Sequence, residues 1–75
     1  MKNLFSECVQ TINYANNIII IKTMRGNGAT AGTFVDSLQL KEILGCVAGD
    51  DTLLIVVNSN ENALIVTEKL REYMA

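Results

Sequence analysis

Two runs in this chain carry no polar residue at all: Ile18-Ile19-Ile20-Ile21 and Leu53-Leu54-Ile55-Val56-Val57. β-Branched residues dominate both, which favours extended backbone. Neighbouring side chains on a strand point to opposite faces of its sheet. A strand with no polar position therefore needs cover on both sides. A chain of 75 residues buries only about 60% of the surface its unfolded form exposes. The rest of the sequence offers two short helices, enough to cover one face. If about three or four large side chains per subunit stay open, each worth about 1.5–3 kcal/mol when buried, several kcal/mol is available to association. Self-assembly is the expected outcome, and the alternative is a monomer whose sheet is covered on both faces.

The other ways of supporting a small core fit poorly. Cys8 and Cys46 are the two cysteines, both in apolar, strand-like surroundings, and the segment MKNLFSECV turns polar at Ser6-Glu7, too soon for a secretory leader. The expectation is a cytoplasmic protein with reduced, buried thiols. There is no histidine and no Cys-x-x-Cys pair, so no metal site is expected. A net charge of −2 does not suit a grip on phosphate backbone. No apolar run approaches the roughly 18 residues of a membrane span.

The blocks along the chain predict one domain over 1–75 with the order ββαββα. Residues 7–14 read as a strand with Val9, Thr11 and Asn13 on one face, and Ala15-Asn16-Asn17 as a turn into the strand 18–24. A glycine-rich connector, RGNGATAG (25–32), leads to a short helix with Ala31, Phe34 or Val35, and Leu38 at helical spacing. Gly45 precedes a strand, a tight turn at Gly49-Asp50-Asp51 and a second strand. A closing helix is expected to be capped by Asn58 with Glu61, and to turn Ala63, Val66, Leu70, Tyr73 and Met74 to one side. The fold class is α+β: a two-layer sandwich in which a four-stranded antiparallel sheet is backed by two helices.

Two features invite a functional reading. Gly26, Gly28 and Gly32 give G-x-G-x-x-x-G, one residue off the dinucleotide spacing, in a chain too short for a doubly wound sheet. That reads as a turn allowing close backbone approach. The second feature is Asp50 beside Asp51. Gly and Asp suit a hairpin turn through their tolerance of positive φ. Yet these acids border strands expected in an interface, where an unpaired carboxylate is costly. Facing carboxylates from symmetry mates repel by about 4 kcal/mol at 4 Å and an effective dielectric near 20. Such a turn wants a cation, and a planar guanidinium matches a carboxylate best. A ligand could supply it, or Arg25 or Arg71 of a neighbouring subunit.

The segment from Ile18 through Val56 resembles the C-terminal domain of bacterial arginine repressors, with its pattern K-T-x-P-G-x-A, then D-x-L, then G-T-I-A-G-D-D-T. Lys22, Thr23, Gly26, Asp36, Leu38, Gly45, Ala48, Gly49, Asp50, Asp51 and Thr52 match in order and spacing. The resemblance implies a ββαββα domain that forms homotrimers, two of which stack into a homohexamer with L-arginine, the corepressor, bound between them. It implies that Asp50 and Asp51 hold the guanidinium, that Asp36 lies in the same pocket, and that backbone around Ala48 lines it. Arg25 stands where the family usually has Pro, Gly28 where Ala is common, and Cys46 where it has Thr. Ala29 occupies a place where many members have a ligand-contacting Gln. The family's winged-helix DNA-binding domain has no counterpart in these residues, so operator DNA is expected to be bound only through that domain.

Two rival functions are an oligomerisation module that binds no small molecule, with its acids paired to Arg25 or Arg71 of a neighbour, and an enzyme. No histidine or activated nucleophile supports the enzyme reading.

Overall fold

The computed structural model describes residues 3–74, so Met1, Lys2 and Ala75 of the expected domain lie outside it. Its elements are α1 (Leu4–Cys8), β1 (Val9–Ala15), β2 (Ile18–Thr23), α2 (Gly28–Ser37), β3 (Ile43–Ala48), β4 (Thr52–Val57) and α3 (Asn60–Glu72). The strands form one antiparallel sheet in the order β1-β2-β4-β3. The α+β sandwich expected from the sequence is present, with one helix more than foreseen.

The two wholly apolar runs are the central strands β2 and β4, joined directly to each other through pairs such as Ile20 with Leu54. Their alternation sorts cleanly. Ile19, Ile21, Leu53, Ile55 and Val57 are fully buried on the inner face. There they meet Phe5 of α1, Ala31 and Val35 of α2, and Ala63, Val66 and Leu70 of α3 in one core. Ile18, Ile20, Leu54 and Val56 point outward and are only half-buried. Val47 of β3 shares that outer face and is 70% exposed, as is Leu44 at the start of the strand. All three helices contribute to the inner core and none of these outward residues is buried, so the sheet presents an apolar outer surface.

Four local expectations are corrected. The strand expected from residue 7 begins only at Val9, because residues 4–8 are helical. Asn3 caps that turn by accepting from the Ser6 amide at 2.9 Å, and its own amide donates to Ser6 Oγ at 3.1 Å. This reciprocal cap, with burial of Phe5, outweighs the strand preference of the residues that follow. In β1 a bulge between Val9 and Thr11 resets the alternation, so Val9 and Ile12 turn inward while Thr11 and Asn13 face out. Gly45 lies within β3, at a second bulge, and does not precede the strand. The last helix is capped by Ser59, which accepts from the Asn62 amide at 3.1 Å. Asn58 instead accepts from the Asn62 side chain.

The stripe expected on α3 is present at Ala63, Val66 and Leu70, and Thr67 joins it. Tyr73 is more exposed, packed edge-on to Phe34 with ring centroids 5.2 Å apart. The Thr67 hydroxyl is buried with no hydrogen-bond partner among the described residues. An unsatisfied buried hydroxyl costs about 1–3 kcal/mol. Thr67→Val, which keeps the shape and removes the polar atom, is expected to raise stability by about 1 kcal/mol, measurable as a higher urea midpoint at unchanged slope.

Candidate functional site in the turn between the last two strands

Gly49-Asp50-Asp51 connects β3 to β4 as expected, but by a different device. None of its residues has positive φ; among the described residues that conformation occurs at Asn16, Gln39 and Gly26. Three backbone hydrogen bonds fix the turn instead. The Gly49 amide donates to the Thr52 carbonyl at 2.7 Å, the Thr23 amide to the Asp51 carbonyl at 2.8 Å, and the Gly28 amide to the Asp50 carbonyl at 3.0 Å. The last of these serves α2 as a cap. Asn27, at the cap position, makes no side-chain cap bond, and the turn supplies an acceptor to the first helical amide.

This explains the glycine-rich connector. Its second half is the first turn and a half of α2, and it is not a loop. A side chain at Gly28 would overlap the Gly49 carbonyl oxygen, and one at Gly32 would come within 3.2 Å of Leu53 Cδ1. The glycines let the helix lie against the turn and the sheet. Because the Gly28 amide is already taken by the chain's own carbonyl, this is not a phosphate cradle. Gly28→Ala is expected to push the turn away from the helix and cost about 1–3 kcal/mol, read as a lowered melting temperature.

The acids are not equivalent. Asp50 is exposed, and its carboxylate has no partner among the described residues. Asp51 is half-buried and accepts from Thr52 Oγ1 at 3.0 Å, with Lys22 Nζ 3.7 Å away. Lys22 also donates to Thr52 Oγ1 at 2.9 Å. Within one chain neither arginine reaches these acids. Arg71 donates to the Ile12 carbonyl at 2.7 Å, on the opposite edge strand, and Arg25 is exposed without an ion pair among the described residues.

The remaining expected site residues fall along the seam between α2 and β3. Ala29 and Asp36 are seven apart, on one side of the helix. Cys46 and Ala48 alternate along β3 with the outward Val47. Cys46 Sγ donates weakly to Asp36 Oδ1 at 3.5 Å. Burial pushes the Cys46 thiol above its ordinary pKa, and the Asp36 carboxylate adds to the effect. Asp36 also borders a cleft of about 170 Å³ formed with Val35, Gln39, Leu40, Ile43, Leu44 and Gly45. That cleft lies at the other end of β3 from the acidic turn. The structure thus brings Asp36 to Cys46 and sets Asp50 beside Asp51, but of the six residues the cleft is lined by Asp36 alone. Lys22 and Thr52 were not foreseen as site residues. Their proximity follows from the pairing of β2 with β4, which leaves no local mark on the sequence.

Among the described residues there is no group of three or more His, Cys, Asp or Glu that could hold a metal ion. No helix there is long and apolar enough to cross a membrane.

Comparison with known proteins gives these residues a context. Residues 5–72 match the family model for the arginine repressor, C-terminal domain. An arginine repressor of Clostridium tetani is 37% identical over 71 residues, covering 95% of this chain and 46% of that protein. One of Acetivibrio thermocellus is 41% identical over 70 residues, covering 93% and 46%. One of Syntrophomonas wolfei is 38% identical over 74 residues, covering 99% and 48%. The chain spans about half the length of the curated relatives it matches. These relatives are named as repressors, a family of transcription regulators rather than enzymes. By the match along almost its whole length, the chain belongs to the family of arginine repressor C-terminal domains.

Proposed function

We propose that this chain is the ligand-sensing and oligomerisation unit of an arginine-responsive transcriptional repressor, working in the cytoplasm. On this reading trimers form through the apolar outer face, and L-arginine binds where two trimers meet and holds them as a hexamer. Its guanidinium pairs with Asp50 and Asp51, while Asp36, Ala48, Cys46 and Ala29 border the remainder of the ligand. Contact with operator DNA belongs to the other half of the relatives' length.

The observation that carries the proposal is the Asp50 carboxylate, unpaired among the described residues, on a turn locked by three backbone hydrogen bonds. With the backbone fixed in this way, only the side chain remains to be ordered on binding. The cleft beside Asp36 does not extend to Asp50 or Asp51, so on this reading a second copy completes the site around them. Binding and assembly are then linked: a cation that cancels carboxylate repulsion favours the state in which the acids approach one another.

Calorimetry tests this directly. L-arginine should give a saturable heat, while L-citrulline, equal in shape but uncharged, should give none and L-lysine a much weaker one. Equal heats for arginine and citrulline would end the guanidinium assignment. The rival module has one observation in its favour: Arg25 has no ion pair among the described residues. If Arg25 bridges to a neighbour's acids, Arg25→Ala disperses the assembly and added arginine changes nothing.

A further inference from the structure

We infer that Lys22 is a specificity-determining residue of the acidic turn: its ammonium, held on Thr52 and beside Asp51, reduces the turn's net charge to −1 and so sets the site for a single positive charge. This rests on the proposed arginine site and deepens it. Lys22 leaves the outer face of β2 directly opposite Thr52 in the β2–β4 register. Its Nζ donates to Thr52 Oγ1 at 2.9 Å and stands 3.7 Å from Asp51 Oδ1, and Thr52 Oγ1 in turn donates to that same carboxylate oxygen at 3.0 Å. The three side chains form a closed triangle with a fixed polarity: the ammonium donates to the hydroxyl, and the hydroxyl donates to the carboxylate. The contact between Lys22 and Asp51 is half-exposed, so it contributes little to folding. Its consequence is electrostatic.

Two aspartates and one lysine leave one uncompensated carboxylate, that of Asp50. A guanidinium carries one positive charge and two parallel donors, which suits one open carboxylate with a second, oriented one beside it. Without Lys22 the turn would carry two uncompensated carboxylates on adjacent residues, an arrangement suited to a hard divalent cation. Lys22 therefore has two effects on ligand choice. It compensates the charge of Asp51, and it makes the turn a poor competitor for magnesium or calcium. It also opposes the incoming guanidinium, because both are cations.

The test is Lys22→Met, which keeps the aliphatic stem on the outer face. Arginine binding is measured by calorimetry at low ionic strength, with and without millimolar magnesium. Wild type should bind arginine equally in both. The variant should bind arginine about threefold to tenfold more tightly without magnesium, and lose that gain when magnesium is added. Lys22→Arg, which keeps the positive charge, should stay indifferent to magnesium, which a merely structural role of the stem would not require. Thermal unfolding of both variants checks that they fold. If Lys22→Met does not fold, Thr52→Val, which releases the ammonium from its hydroxyl anchor, is expected to show the same magnesium sensitivity in weaker form. Unchanged arginine affinity and indifference to magnesium in the folded variants would overturn the inference while leaving the arginine site standing. Failure of wild type to bind arginine would instead remove the site itself.

Discussion

Replacing Asp50 by Asn is expected to lower affinity for L-arginine at the proposed site by about 10–100-fold and to leave the fold untouched. The size follows from the bond that is lost: a hydrogen bond to a charged partner is worth about 1.5–3 kcal/mol, and the neutral amide keeps the shape while losing the charge. The fold survives because the turn does not depend on the Asp50 side chain. It is the Asp50 carbonyl that accepts from Gly28, and the substitution keeps it. Calorimetry should show the weakened binding, and circular dichroism a melting temperature equal to wild type. Loss of folding with the loss of binding would mean that the carboxylate is structural. Unchanged binding would mean that the guanidinium sits elsewhere.

Leu54→Glu is expected to break the proposed assembly into folded monomers. Leu54 points to the outer face, between Ile20 on β2 and Val47 on β3, while Leu53 beside it is fully buried on the inner face. A carboxylate placed at Leu54 in an apolar interface, without a partner, costs several kcal/mol. Repeated in every subunit, that should lower the association constant by at least about 1000-fold. Within the isolated subunit the new side chain reaches water, so the domain stays folded. Sedimentation velocity at micromolar concentration should show a single slow species with native circular dichroism. An unchanged oligomer would show that the outer face is not what the subunits share.

The contrast between Leu53 and Leu54 also shows where the sequence is readable. Ile18–Ile21 and Leu53–Val57 announce strands with two apolar faces, and the structure makes them the central pair. The closing helix is legible from the spacing of Ala63, Val66 and Leu70. Its cap was misassigned by one residue because Asn58 and Ser59 are both good acceptors. The short first helix leaves no periodic signal, because it is only five residues long and rests on one local event, the Asn3–Ser6 cap. The inward face of β1 is hidden from the sequence, because a bulge inserts a residue that no periodicity reports.

For the site, the charge and position of Asp50 and Asp51 were legible from the chain alone. Asp36, Ala48, Ala29 and Cys46 were reached only through resemblance to a family, since nothing in their types singles them out. Lys22 required the order of the strands. It is thirty residues from Thr52 in the chain, and only the antiparallel pairing of β2 with β4 puts the ammonium beside the acids.

The most direct measurement is the sedimentation mass of the wild-type chain with and without saturating L-arginine, at one protein concentration. A trimer that becomes a hexamer when arginine is added, and stays a trimer with citrulline, is the expected result. The same mass in all three solutions would contradict the claim that a guanidinium, held by the acidic turn, joins the subunits.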